Sequence, residues 1–344
     1  MEGLPSFVSG KLVEYIKLVR LPGWGVFCTT AVFGAITVGV LDPLSLALLF
    51  ITGGFGTLYG FVLNDYIDVD TDNLSEDLSQ RPLVKGSIPR FHALMISLGA
   101  VIAAYVLIIL AMIQGLFLQN GLTLVVFTIA VFLAAIYNIY GKKFLGSDVF
   151  VAGATAVYFV FGALAVSPTL TPLTWVVTVV TFFQVMYLNA IIGGLKDADH
   201  DCKHGVKNIA RTLGVKVTKN RLFIPFSFIL LALVFRFSSL IAMFTPFFLI
   251  EGFPFEIWQP LIMAGLFLGV LVATGKMLRL KTFHRNELRK LISIQAFLRY
   301  SIVPVMLLMV TGYALAGFLI FFPFLWYAIF NKILYGSSTQ PKTL

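Results

Sequence analysis

Charge is what this sequence lacks most. Only 12% of its 344 residues are charged, and just 16 are acidic. A water-soluble domain coats itself with Lys, Arg, Asp and Glu, so this composition excludes that class. Hydrophobic residues supply 59% instead, and mean hydropathy is +0.94. Cysteine is nearly absent. Cys28 and Cys202 both fall near segments assigned below to the cytoplasmic side, so no disulfide is expected. There are four histidines. The grouping His200, Cys202 and His204 lacks the ligand number and spacing of a structural zinc site. Low-complexity runs, heptads and a separate soluble domain are missing too.

What fills the chain is a series of apolar runs long enough to cross a bilayer. They lie near 24–40, 44–63, 92–112, 122–137, 149–166, 175–192, 222–244, 261–273 and 302–329. The expected fold is therefore all-α and integral to the membrane, a single polytopic domain over residues 1–344 with about nine transmembrane helices. No small-residue cleavage site follows the first run, which is kept as a helix.

Lysine and arginine are absent from the short connections "LDP", "QGLFLQNG", "SPTLTP" and "EGFPFE". The alternate connections are rich in both, which places the N-terminal segment (about 1–22) and those loops in the cytoplasm. By this count Arg236, Lys332 and Lys342 fall elsewhere. The net charge of +9 thus belongs mostly to one membrane face, where it attracts anionic lipid. Because the basic residues are divided among membrane loops, no nucleic-acid partner is expected. Residues 331–344 are expected to form a flexible tail. Arg236 falls in mid-span, which makes it either a functional residue or a snorkelling one.

The scarce acids are concentrated. Six lie in residues 65–77 and three in "KDADHD", so nine of 16 occupy two short stretches on one face. Each stretch follows an even-numbered span, which suggests a duplicated four-helix unit. If the second span continues as a helix, Asn64, Asp68 and Asp72 recur at i, i+4 and i+8 on one side, with Asp65 beside them. Asp197 and Asp201 repeat that spacing, with Asp199 pointing elsewhere. Two carboxylates about 5 Å apart repel by about 3 kcal/mol at an effective dielectric near 20, so converging acids bind protons or cations. Oxygen-only donors suit a hard ion such as Mg²⁺, which shares its shell with water and a ligand phosphate. The plain alternative for each stretch is a solvated loop with helix-capping aspartates. An EF-hand is excluded, since its glycine and terminal glutamate are missing.

Basic residues follow both stretches, with Lys203, Lys207 and Arg211 after the second, and a further group ends the fourth span. "SQRPLVKGSI" carries Arg81 and Lys85, and "YNIYGKK" carries Tyr137, Tyr140, Lys142 and Lys143. They are either topology anchors or phosphate ligands.

These motifs resemble those of the UbiA superfamily of intramembrane prenyltransferases. "NDYIDVDTD" is similar to its first aspartate-rich motif. "DADHD", within "LKDADHDCKHGVKNIARTLG", looks like the second. "QRPLVKGSI", "YNIYGKK" and "RLPGW" resemble neighbouring family elements, and the similarity covers about residues 15–325. The resemblance implies nine helices around a central cavity, with two Mg²⁺ ions joining the acidic motifs to an isoprenyl diphosphate. The metal ligands would be Asn64, Asp68, Asp72, Asp197 and Asp201, with Asp65 in support. Arg20, Arg81 and Lys142 or Lys143 would hold diphosphate. Tyr137 and Tyr140 would face the cavity, which residues 64–91 and 193–221 would cover as cytoplasmic active-site loops. Asp68, Asp197 and Lys142 would be catalytic. Lys142 stands five residues after Tyr137, where some members keep four, and the chain extends beyond a typical member at its C-terminal end.

The expected activity is Mg²⁺-assisted transfer of an isoprenyl chain from an allylic polyprenyl diphosphate to a small acceptor, in a multi-pass protein of the cell membrane. The acceptor is either an aromatic quinone precursor or, as in archaeal lipid synthesis, a glycerol phosphate ether. From another class, a cation-coupled secondary transporter would also have repeated halves and membrane carboxylates. A CDP-alcohol phosphotransferase would need D-G-x-x-A-R, which is absent.

Overall fold

The computed structural model describes residues 10–73, 78–141, 143–199, 201, 207–219 and 221–336. Among them, eight helices are long and apolar enough to cross a membrane, and a bent pair makes a ninth. That pair is α1 (Gly10–Leu18) and α2 (Leu21–Thr37), which meet at 46°. The others are α3 (Pro43–Asp72), α4 (Arg90–Ile113), α5 (Gly121–Tyr140), α6 (Asp148–Val166), α7 (Pro172–Lys196), α8 (Phe226–Leu249), α9 (Trp258–Leu278) and α11 (Leu308–Tyr335). A more polar helix, α10 (Arg285–Met306), lies between the last two.

Helix starts follow capping chemistry. Asp42 accepts a hydrogen bond from the Ser45 backbone N–H at 2.8 Å, with Pro43 in the first turn of α3. Thr171 and Thr174 form a reciprocal capping box at α7. The large exposed apolar side chains are mostly Leu, Ile, Val and Phe on outward faces, as lipid requires. The interior is close-packed through small residues. A Cβ on Gly34 of α2 would lie 2.1 Å from the Phe159 carbonyl, and one on Gly162 of α6 would lie 2.0 Å from that of Ala31. Glycine at both positions lets these two backbones touch.

The structure departs from the sequence reading in five places. Residues 64–72, expected in a loop, are the last turns of α3. Arginine partners for their carboxylates allow the helix to continue past the apolar run. Within residues 193–221, the last turn of α7 comes first. Later come a short helix at Ile209–Thr212 and an antiparallel hairpin of β1 (Lys216–Thr218) and β2 (Arg221–Phe223). The seventh span therefore begins at Phe226 rather than Leu222.

The region expected to be the eighth connection folds instead as α10. Its charges lower its average hydropathy, but it runs the length of the bundle. Arg285 pairs with Asp199 at one end, and at the other the Val305 carbonyl accepts from Gln259, in the first turn of α9, at 2.9 Å. The chain then turns, and α11 comes back. Trp326 Nε1 donates to the Leu21 carbonyl at 2.8 Å, so Lys332 lies at the end that holds the acidic motifs, not the opposite one. Finally, residues 331–335 of the expected tail belong to α11, where Asn331 is fully buried.

Candidate active site

The acidic end of the bundle opens into a cavity of about 1500 Å³. Its rim is polar. Asn64, Asp65, Asp68 and Asp72 line it from α3, and Asp197 and Asp201 line it from the segment that follows α7. The structure thus brings all six together around one space. Its depth is apolar and aromatic, walled by Phe27, Phe55, Phe61, Phe127, Tyr137 and Tyr158.

Local structure explains how each group arrives. The helical repeat of α3 stacks Asn64, Asp68 and Asp72 along one side. Arg20 adopts a left-handed backbone (φ 49°) at the bend between α1 and α2. From there it donates to Asp65 at 2.5 Å and lies 5.0 Å from the Phe61 ring centroid. Arg81, from the loop after α3, donates to Asp65 at 3.2 Å and makes a shorter bond to Asp72. Burial alone would lower the Arg81 pKa, but the Asp65 and Asp72 carboxylates outweigh it and hold the guanidinium above its ordinary range. Asp70 turns outward to Arg90 at 2.9 Å.

The α7 end is built differently. Tyr187–Gly193 is a π-helix, a one-residue widening that shifts the register of everything after it. Gly194 follows, and a Cβ there would lie 2.5 Å from the Ala210 side chain, so glycine permits the short helix Ile209–Thr212 to close in. Asp201 accepts from Asn208 at 2.5 Å, and Lys196 Nζ lies 3.9 Å from Asp197. Asp199 turns to Arg285, whose Nη2 reaches both its oxygens at 2.9 Å.

Among the described residues, no three His, Cys, Asp or Glu side chains converge closely enough to hold a metal ion by themselves. The donors are nevertheless all oxygens, and the two acidic ends face one cavity. That donor set fits a hard cation that takes one or two carboxylates from an end and completes its shell with water and ligand oxygens.

Not every expected residue reaches the site. Tyr140 is 45% exposed, and Lys143 rests 5.2 Å over its ring; neither lines the cavity. Both lie where α5 ends and its last turn faces outward. Lys142 lies outside the described residues. Tyr137 does line the wall, and its hydroxyl donates to Asn189 at 3.4 Å. Arg236 is buried away from the cavity, hydrogen-bonded to Gln295 and 3.3 Å over the Tyr187 ring, so it does not snorkel. Sequence reading missed Asp148, Asn189, Lys196, Arg289 and Lys332 on the wall. Of these only Lys196 carried a signal, its position next to Asp197.

The model of the UbiA prenyltransferase family matches residues 25–276. The chain belongs to this family. It is similar to 4-hydroxybenzoate octaprenyltransferase of Burkholderia mallei, 29% identical over 156 residues, which is 45% of this chain and 51% of that protein. It is also similar to protoheme IX farnesyltransferase of Metallosphaera sedula, 26% identical over 96 residues, or 28% of this chain and 34% of that one. The chain thus matches about half the length of the hydroxybenzoate enzyme.

Solved structures share the fold. A digeranylgeranylglyceryl phosphate synthase aligns with TM-score 0.64 at 19% identity, covering 88% of this chain and 99% of its own. A UbiA homologue from Archaeoglobus fulgidus bound to GPP and Mg²⁺ aligns with TM-score 0.63 at 18% identity, covering 87% and 100%. Family membership and the apolar helices together make this an integral membrane protein.

Proposed function

We propose that this protein transfers an isoprenyl chain from an allylic polyprenyl diphosphate to a small acceptor inside the membrane. The observation that carries this reading is the cavity itself. Its two carboxylate-bearing helix ends face each other at the rim, and its depth is apolar and aromatic. The lysine and arginine asymmetry supports placing the rim and the N-terminus in the cytoplasm, with the protein in the cell membrane.

In this reading Asn64, Asp68, Asp72, Asp197 and Asp201 hold two Mg²⁺ ions, with Asp65 in support. When bound, Mg²⁺ supplies Lewis-acid stabilisation of the diphosphate leaving group. Arg20 and Arg81 are already held at the rim by Asp65 and Asp72, ready to give charge-assisted hydrogen bonds to diphosphate oxygens. The allylic C–O bond breaks, and its electron pair leaves with the diphosphate. The cation that remains lies among Phe and Tyr rings, whose faces stabilise positive charge and whose bulk excludes water. An acceptor carbon or hydroxyl oxygen then bonds to the allylic carbon. The proton it loses goes to the diphosphate or to an aspartate at the rim.

The proposed acceptor is an aromatic quinone precursor, supported by the likeness to the hydroxybenzoate enzyme. The likeness to the glyceryl phosphate synthase supports a glycerol phosphate ether as a second reading. A transporter is the weaker alternative, because these acids sit at helix ends rather than at the bilayer midplane.

The test is to incubate purified protein with geranylgeranyl diphosphate and Mg²⁺. Separate tubes contain 4-hydroxybenzoate, dihydroxynaphthoate or geranylgeranylglyceryl phosphate, each beside an Asp68→Ala, Asp197→Ala double variant. Mass spectrometry should find a Mg²⁺-dependent prenylated product that the variant does not make. A folded protein that binds no diphosphate would sink the reading.

A further inference from the structure

Most cationic groups on the cavity wall are already committed. Arg20 and Arg81 pair with α3 carboxylates, and Arg285 pairs with Asp199. Two are not. Arg289 of α10 and Lys332 of α11 both line the cavity, and neither has an ion-pair partner among the described residues. Arg289 Nε is buried and makes no hydrogen bond there. The Tyr327 hydroxyl, on α11, is likewise buried, unbonded and on the cavity wall. Tyr327 lies within electrostatic reach of Arg289, and Arg289 within reach of Lys196 beside Asp197.

A buried donor without a partner costs about 1–3 kcal/mol, more for a charged one, so Arg289 Nε and the Tyr327 hydroxyl point to an absent hydrogen-bond partner, to which the exposed Lys332 adds its charge. Two cations and a phenol, with no carboxylate among the three, select an anion and need no metal to do so. They come from the two C-terminal helices, whereas the acids of the rim come from α3 and α7. They also lie beyond residue 276, where the family-wide match ends.

We propose that Arg289, Lys332 and Tyr327 bind the anionic group of the acceptor substrate, a carboxylate or a phosphate ester. This inference rests on the transferase reading above and names a second subsite of the same cavity. It divides the labour at the rim. The donor's diphosphate goes to the α3 and α7 ends, and the acceptor's anion goes to the α10–α11 wall. The acceptor's nucleophilic atom is then left to point inward at the allylic carbon. The shared chemistry of a hydroxybenzoate and a glycerol phosphate is this negative charge, so one wall serves either.

The experiment measures equilibrium binding to the full chain in zwitterionic lipid nanodiscs. Probes are 4-hydroxybenzoate and glycerol 1-phosphate, each beside its uncharged counterpart, 4-hydroxybenzamide or glycerol. Arg289→Gln and Lys332→Gln should each weaken binding of the preferred anion about 10-fold, and Tyr327→Phe about 3-fold. Arg289→Lys should recover part of the loss. Binding of the uncharged probes, and Mg²⁺-dependent binding of geranyl diphosphate, should stay within about twofold of wild type. The proposal is overturned if wild type binds neither anion, if charged and uncharged probes weaken equally, or if geranyl diphosphate is the ligand lost. Failure of wild type to bind geranyl diphosphate while still binding an anion through Arg289 would sink the transferase reading and leave the anion subsite standing.

Discussion

The two acidic helix ends carry similar residues in opposite states. On α3, Asp65 and Asp72 are almost fully covered, with side chains 6% and 5% exposed, and both are bound by Arg81. On α7, the Asp197 side chain is 52% exposed, and its cationic neighbour stands off at 3.9 Å. The α3 end is one continuous helix of 30 residues, while the α7 end follows a π-helix and a glycine that admits Ala210. The contrast lies between Asp65 and Asp72, both ion-paired to Arg81, and Asp197, which is open; Asp199 and Asp201 beside it are held by Arg285 and Asn208. The difference suggests separate tasks. In the proposed reaction the locked carboxylates would fix where the diphosphate arrives, and the open Asp197 would supply an oxygen free to rearrange around a cation.

The most severe way to break this comparison is to remove one carboxylate from each end. Asp68→Ala and Asp197→Ala should each lower kcat by about a thousandfold, because in the proposed mechanism each would delete an oxygen ligand from the electrostatic machinery of the leaving group. Raising Mg²⁺ should recover part of the Asp197 loss and little of the Asp68 loss. Equal recovery would mean that the two ends are equivalent.

Unlocking the α3 end comes next. Arg81→Gln leaves Asp65 and Asp72 with one guanidinium between them. Breaking a fully buried pair costs about 3–5 kcal/mol. The Arg81 side chain is 24% exposed, so solvent screening reduces the expected loss to about 1–3 kcal/mol. The pH dependence follows from sign. Arg81 has its folded pKa raised, so its stabilisation is complete below the unfolded arginine pKa and is lost only as pH rises through the folded one. The Tm gap between wild type and variant should therefore be flat from about pH 6 to 9, because arginine titrates far above that window. A gap that closes within the window would show that another group carries the effect.

Much of this was legible in the sequence, for physical reasons. Long apolar runs exist because lipid allows only satisfied backbone, so the spans from α3 to α9 announced themselves. Acids are costly in a membrane, so Asp65, Asp68, Asp72, Asp197 and Asp201 stood out, and the i, i+4 spacing placed them on shared faces. What hid was structure with mixed signals. Helix α10 carries Arg285, Glu287, Arg289, Lys290 and Arg299, so its first half reads as a basic loop. Missing it put Lys332 at the wrong end of the molecule. Asp148 and Asn189 hid because one polar residue at a helix end has no pattern, and only tertiary packing aims it at the cavity. The π-helix hid because no residue type demands it.

The geometry of the α7 end can be tested through Gly194. Gly194→Val would drive a branched side chain into Ala210, already 2.5 Å from an added Cβ. The segment from Asn208 to Thr212 must move, and with it the Asn208 bond to Asp201. Activity should fall about 10-fold through weaker Mg²⁺ dependence, with a stability loss of about 1–3 kcal/mol from overpacking. Titrating Mg²⁺ against rate separates the two effects. A pure drop in Tm at unchanged Mg²⁺ dependence would show that this glycine serves packing alone.

The smallest expected effect concerns Tyr137, which sits below both ends. Its hydroxyl makes one long bond, 3.4 Å to Asn189, and long bonds contribute little. Tyr137→Phe keeps the ring and should change kcat by no more than about twofold. Tyr137→Leu removes the ring face and should cost about 5- to 10-fold, in line with one cation–π contact of about 1 kcal/mol. It should also raise the fraction of isoprenyl chain recovered as free alcohol, since water then reaches the allylic cation. The two variants separate a polar role from an aromatic one. If Tyr137→Phe is the more damaging of the pair, the hydroxyl is what matters. The tyrosine then belongs with the polar rim and Asn189 rather than with the wall that shelters the cation.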